Sequence, residues 1–207
     1  MWSAGIDPMF SNIDVVFDSY YEGCGTCNAE HATREELESA LKRMGLLREL
    51  TQTLVKDYLL VVRGSDSNLT KNLNLFEESL RHLVSGWSPD HLPAPITQVV
   101  ADSLFDIEDG TTGWFAFKEM LSRAAPSGTS EVPQAEQMGM SLLAKTQTAL
   151  DIYITAAWGM NQDAPGARPA LSSSQLMLLD KMVKDVLLVS LGQAQVSRIS
   201  ASIQTVE

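Results

Sequence analysis

The sequence predicts an all-α fold of the antiparallel four-helix-bundle type, with an internal repeat of about 128 residues. Three observations lead there. Apolar residues recur at three- and four-residue spacing through almost every long segment, while alternating strand-like runs are nearly absent, the pattern of one buried helix face. "GWSPDHLPAP", "APSGTSEVP" and "GMNQDAPGARP" gather prolines and glycines and cut the chain into helix-length pieces. Finally, "VKDYLLVVRG" at 55–64 and "VKDVLLVSLG" at 183–192 agree at seven positions, so that Val55 aligns with Val183 and Gly64 with Gly192.

The elements follow in order. A short helix fits residues 8–21, with Phe10, Ile13, Val16, Phe17 and Tyr20 on one side. Tyr21 to His31, holding two cysteines and two glycines, reads as a loop. Thr33 and Glu36 form a capping box, opening a long helix that runs to about Arg63 and stops at Gly64. A third helix fits Asn68 to Ser85 on the stripe Leu69, Leu73, Phe76, Leu80, Leu83 and Val84. After the Pro-rich crossing, one helix is expected from about Pro95 to Arg123, with Ile96, Val99, Val100, Ile107, Trp114, Phe117 and Leu121 inward and Gly110 and Gly113 weakening its middle. A fifth spans about Gln134 to Trp158, and the second copy of the long helix covers about Leu171 to Leu191.

The repeat reaches beyond the decapeptide. "MFSNIDVVFDSYY" is similar to "LLAKTQTALDIYI" in the fifth helix, with Phe17-Asp18 against Leu150-Asp151. The chain therefore divides into residues 1–32, an N-terminal helix and CxxC loop; 33–128, a first helical-bundle repeat; and 129–207, the start of a second repeat that packs on or extends the bundle.

Composition bounds the function. At 207 residues, 44% apolar and 20% charged, the chain has enough apolar residue for a full core. Fifteen basic against 26 acidic residues give a net charge of −11, which repels phosphate backbones and anionic lipid, so nucleic acid is not an expected partner. No stretch reaches the ~20 apolar residues of a membrane-spanning helix, and no membrane insertion by this segment is expected.

One residue breaks the apolar pattern of the long helix. At about 100° per residue, Leu37, Leu41, Met44, Val55, Leu59 and Val62 fall in a narrow arc, and Arg48 lies in its middle with Thr51 and Gln52 beside it. A buried guanidinium needs a carboxylate, water or an anionic ligand. The candidates are an acid on a neighbouring helix, such as Asp102, Asp106 or Asp151, or a bound anion, unless the helix is rotated to expose Arg48. Aligned on the decapeptides, Arg48 becomes Leu176, Thr51 becomes Leu179 and Gln52 becomes Asp180, so the second copy lacks the notch.

"RMGLLRELTQTLVKDYLLVVRG" resembles the opening helix of the PilJ-type sensor domain of type IV pilus methyl-accepting chemotaxis transducers. Gly45, Arg48, Leu50, Thr51, Gln52, Lys56, Tyr58, Leu59 and Leu60 stand in the matching places. "FEESLRHLVSG", the Pro-rich crossing and "FAFKEML" continue the likeness over about residues 34–158, with a second start near 170. The resemblance implies an all-α bundle that senses small molecules in an extracytoplasmic or organellar space, without enzymatic activity or cofactor. In the related nitrate and nitrite sensor kinases the Arg of this helix contacts the anion at a dimer interface, which implies an anion site at Arg48, Thr51 and Gln52. Thr53 stands where that family has a second Arg, and no transmembrane or signalling segment is present in the sequence.

Other chemistry is sparse. Cys24 and Cys27 are candidates for a local disulfide, a redox pair or two free thiols; with His31 they offer three zinc donors but no evident fourth, so no metal is expected. His82 is expected on a polar helix face and His91 in the Pro-rich loop, with no nucleophile arranged beside either. Trp87, Trp114 and Trp158 are expected to pack. The overall expectation is a binding or sensor-type domain for a small or anionic ligand or a protein partner. Its alternative is a structural accessory or scaffold subunit with Arg48 in an internal salt bridge. An incomplete second repeat points to a homodimer or to docking on a larger complex.

Overall fold

The computed structural model describes residues 32–109, 111–123, 129–160, 168–197 and 199. The helix expected at 8–21, the Cys24 and Cys27 loop, His31 and Gly110 lie outside the described residues. All regular elements among the described residues are helical: α1 Arg34–Val62, α2 Leu69–Ser85, α3 Gln98–Glu108, α4 Trp114–Arg123, α5 Val132–Met160 and α6 Arg168–Ser190.

The capping box at the start of α1 forms as expected. Glu36 N–H donates to Thr33 Oγ1 at 3.2 Å and Thr33 N–H donates to Glu36 Oε2 at 2.7 Å, satisfying amides that have no helical acceptor. At the other end Gly64 takes φ +72°. Its N–H reaches Val61 O at 2.8 Å and Ser65 N–H reaches Leu60 O at 2.9 Å, the paired bonds of a Schellman stop. The second decapeptide ends α6 in the same way. Gly192 also has φ +72°, and the bonds from Gly192 to Val189 and from Gln193 to Leu188 measure 3.0 and 2.9 Å.

The single helix expected from Pro95 to Arg123 is instead two. Asp109 leaves α3 in extended conformation, with φ −95° and ψ 166°. The chain then doubles back so tightly that a Cβ on Gly113 would lie 2.1 Å from Asp109 O. Only glycine permits that approach. Lys145 of α5 closes the break, its Nζ bonding the carbonyl oxygens of Asp106 at 2.6 Å and Asp109 at 3.3 Å, where a helix C-terminus favours a cation. Val99, expected inward, is 61% exposed; Ile96, Val100, Ile107, Trp114, Phe117 and Leu121 are buried as expected.

Helix α1 is the centre of the assembly, packing on α2, α5 and α6, while α3 and α4 close against α5. The helices α1 and α5 run antiparallel: Arg48 meets Gln147, and one face further along Val55 meets Gly139. Against α6, α1 runs parallel, with Thr53 bonded to Asp180 and Arg63 to Ser190. The core gathers Leu37, Leu41, Met44, Leu54 and Leu59 with Phe76 and Trp114, whose rings stack at 4.1 Å. Because neighbours cover several sides of α1, its polar residues Thr51, Gln52, Thr53 and Asp57 are buried too. Among the described residues no helix is long and apolar enough to cross a membrane.

Candidate functional site

The polar notch of α1 is real and buried, but its three residues point to different neighbours. Arg48 is 9% exposed, which rules out the rotated helix that would place it in solvent. Its Nη1 donates to Gln147 Oε1 on α5 at 2.7 Å, and Gln147 Nε2 donates onward to Asp151 Oδ1 at 2.9 Å. Of the three acids proposed for Arg48, Asp151 is the one coupled to it through this relay. Asp106 instead pairs with Lys145 at 3.1 Å, and Asp102 accepts from Gln98 at 2.8 Å. Burial draws the guanidinium below its ordinary pKa and the Asp151 carboxylate opposes that shift.

Thr51 turns inward on its own helix, donating from Oγ1 to Arg48 O at 2.7 Å. Gln52, one turn further on, meets a different neighbour, α6. Its Oε1 accepts from Lys184 Nζ of α6 at 2.8 Å, and its Nε2 is buried without a hydrogen-bond partner. Such an unmet donor costs about 1–3 kcal/mol unless an acceptor reaches it.

The seam between α1 and α6 extends this polar patch. Lys56 Nζ pairs with Asp180 Oδ1 at 2.7 Å, Thr53 Oγ1 donates to Asp180 Oδ2, and Lys181 meets Asp185 at 3.4 Å. Lys184 and Asp185 are fully buried. Burial, then the Asp180 charge, pushes the Glu49 carboxyl above its ordinary range, with Lys56 opposing. Burial likewise raises Asp57, although Asn72 Nδ2 donates to it at 2.7 Å. None of Thr53, Lys56 or Lys184 stood out in the sequence as site residues. The repeated Val-Lys-Asp contains both lysines, but helical periodicity does not say which helices touch.

The comparison between copies changes with this packing. Asp180, the counterpart of Gln52, faces α1, whereas Leu176 and Leu179, the counterparts of Arg48 and Thr51, are 52% and 56% exposed. At that level of α6 the two leucines are more than half exposed, and no described element covers them.

His82 is another correction. It is 4% exposed rather than on a polar face, because the Pro-rich crossing folds back through mutual bonds between Trp87 and Leu92 at 2.9 and 3.0 Å and lays the Trp87 ring on it. The two rings stack at 4.4 Å and 4°. Burial first, then the nearby Arg43, hold the imidazole below its ordinary pKa. Arg43 itself bonds Asp90 in the crossing and Ser79 at 3.4 Å. Trp114 is buried as expected, while Trp87 and Trp158 are 42% and 60% exposed. Among the described residues there is no group of three or more metal-binding side chains.

The chain matches no protein-family model, no curated protein and no solved structure.

Proposed function

We propose that this protein is a non-enzymatic, PilJ-like helical-bundle domain that binds a small anion at the polar level of α1. In this reading α1, α2, the α3–α4 pair and α5 form the four-helix bundle, and α6 opens a second repeat. The observation that carries the ligand is Gln52: a buried amide donor without an acceptor, held in place by Lys184 from α6. An anion there would accept from Gln52 Nε2 beside the Lys184 ammonium, with the guanidinium of Arg48 one turn away on the same helix. Charge-assisted bonds of this kind are roughly twice as strong as neutral ones. Binding would tie α1 to α6 and so stabilise their parallel pairing.

Thermal unfolding at constant ionic strength tests it, with nitrate, nitrite, acetate and phosphate each added to the full chain. An anion at about 100 times its Kd should stabilise the wild type by about 2.7 kcal/mol. Arg48→Ala and Gln52→Leu should lose that increment. Equal shifts in wild type and both variants would exclude the site.

A second reading is a structural accessory or scaffold subunit, alone, as a homodimer or within a larger complex. The relay Arg48 to Gln147 to Asp151 favours it, since it satisfies the guanidinium within the chain. On that reading Arg48→Ala destabilises the protein and no anion changes its unfolding temperature.

A further inference from the structure

Helix α6 carries an apolar stripe that none of the described elements covers. Leu176, Leu179, Val183 and Val186 are 52%, 56%, 46% and 48% exposed. Their three- and four-residue spacing puts them on one face, as in a seam made to receive a second helix. Their counterparts in the first copy are Arg48, Thr51, Val55 and Tyr58, and all four are buried. In α1 that face lies under α5, where Arg48 bonds Gln147 and Val55 meets Gly139.

The two long helices are also related by their contacts. Lys56 reaches Asp180, and Lys184 reaches Gln52. In the repeat Lys184 is the counterpart of Lys56, and Asp180 that of Gln52. Exchanging α1 with α6 therefore exchanges the two contacts, which is what an approximate twofold axis between parallel helices does. The same exchange carries α5, seated on α1, to a helix seated on α6.

We propose that the exposed face of α6 is the docking site for the chain's own residues 8–21. The face of α5 buried at Thr146, Ala149, Leu150 and Tyr153 falls, with Asp151 aligned on Asp18, on Ile13, Val16, Phe17 and Tyr20. These are four of the five residues that place one apolar side on the predicted first helix. Asp151 itself is exposed in α5, as a polar residue beside such a face should be. Connectivity agrees as well. Helix α5 leads into α6 yet packs on α1, so its counterpart leads into α1 and packs on α6. Because α1 and α6 are parallel, residues 22–32 have only to cross about one helix diameter, ~10 Å, well within the reach of such a length of chain.

Thiol cross-linking in the full chain tests the proposal, in a background where Cys24 and Cys27 are replaced by Ser. Asp14 is the counterpart of Gln147, and Leu176 that of Arg48. Asp14→Cys with Leu176→Cys should therefore join within one chain through a short bis-maleimide, and Asp14→Cys with Gln193→Cys should not. A product between chains would mean that a second copy covers the stripe, and no product would mean that this segment does not; either overturns the proposal. An independent readout avoids the paired variants. A single Val183→Cys should react with maleimide at least about tenfold more slowly than a single Gln193→Cys, and Phe17→Asp should restore the fast rate. Equal rates in the absence of Phe17→Asp would overturn it too.

Discussion

Lys56 and Asp180 form an ion pair at 2.7 Å between two parallel helices that end in nearly the same decapeptide. Its counterpart joins Lys184 to Gln52 at 2.8 Å. The first arm ends on a carboxylate and the second on an amide. The amide at the end of the second arm, with its buried Nε2, is what the proposed anion site rests on.

Substitutions at these two positions should therefore have different readouts. Asp180→Asn leaves Lys56 and Thr53 with a weaker partner in a half-buried seam and should cost about 1–3 kcal/mol by denaturant unfolding. Gln52→Glu places a fixed carboxylate beside Lys184. It should leave the helical content intact and abolish stabilisation by added anions; a retained anion response would contradict this placement of the site.

The two Schellman stops should respond alike. Gly64→Ala and Gly192→Ala each force a side chain into the left-handed region at φ +72°, with open space around the added Cβ in both cases. Each should cost about 1–2 kcal/mol, measured as a lower denaturation midpoint at constant m-value. A cost at Gly64 alone would show that the end of α6 contributes nothing to the cooperative unit.

Close approach of α1 and α5 should make Gly139 intolerant of a methyl group. A Cβ there would sit 2.4 Å from Val55 Cγ2, so Gly139→Ala should destabilise by about 1–3 kcal/mol through overpacking. Combining it with Val55→Ala should recover part of that loss. Additive costs in the double variant would refute the contact.

Protonation of His82 should weaken the fold. Its pKa is lowered from 6.5 by burial and by Arg43, so the unfolded chain takes up the proton first. The contribution of His82 is complete above about pH 6.5 and is lost as pH falls through the lower native value. Unfolding temperatures of the wild type should drop below those of His82→Phe, which keeps a ring on Trp87, as pH falls from 6.5. Parallel curves would show that His82 does not titrate in the fold.

Much of the architecture was legible in the sequence because helix signals are local. Thr33 and Glu36 announce a capping box by their spacing, and Gly64 and Gly192 announce their stops. The break within the expected Pro95 to Arg123 helix was harder to read. Gly110 and Gly113 marked the weak point, but the break depends on Lys145, far along the chain, meeting the carbonyls that the break frees. His82 was misread for a related reason, since the ring that covers it comes from the crossing and not from its own helix.

The sequence by itself determined the all-α class, the ends of the long helices and the presence of a buried Arg48, because each depends on spacing within one element. Tertiary structure alone decided that α1 and α6 lie side by side in parallel, that Arg48 turns to α5 and Gln52 to α6, and that no described element covers the stripe Leu176, Leu179, Val183 and Val186 of α6. Periodicity fixes which residues share a face of a helix. Which neighbour that face meets depends on contacts between residues far apart in the chain, and those become defined only when the helices pack.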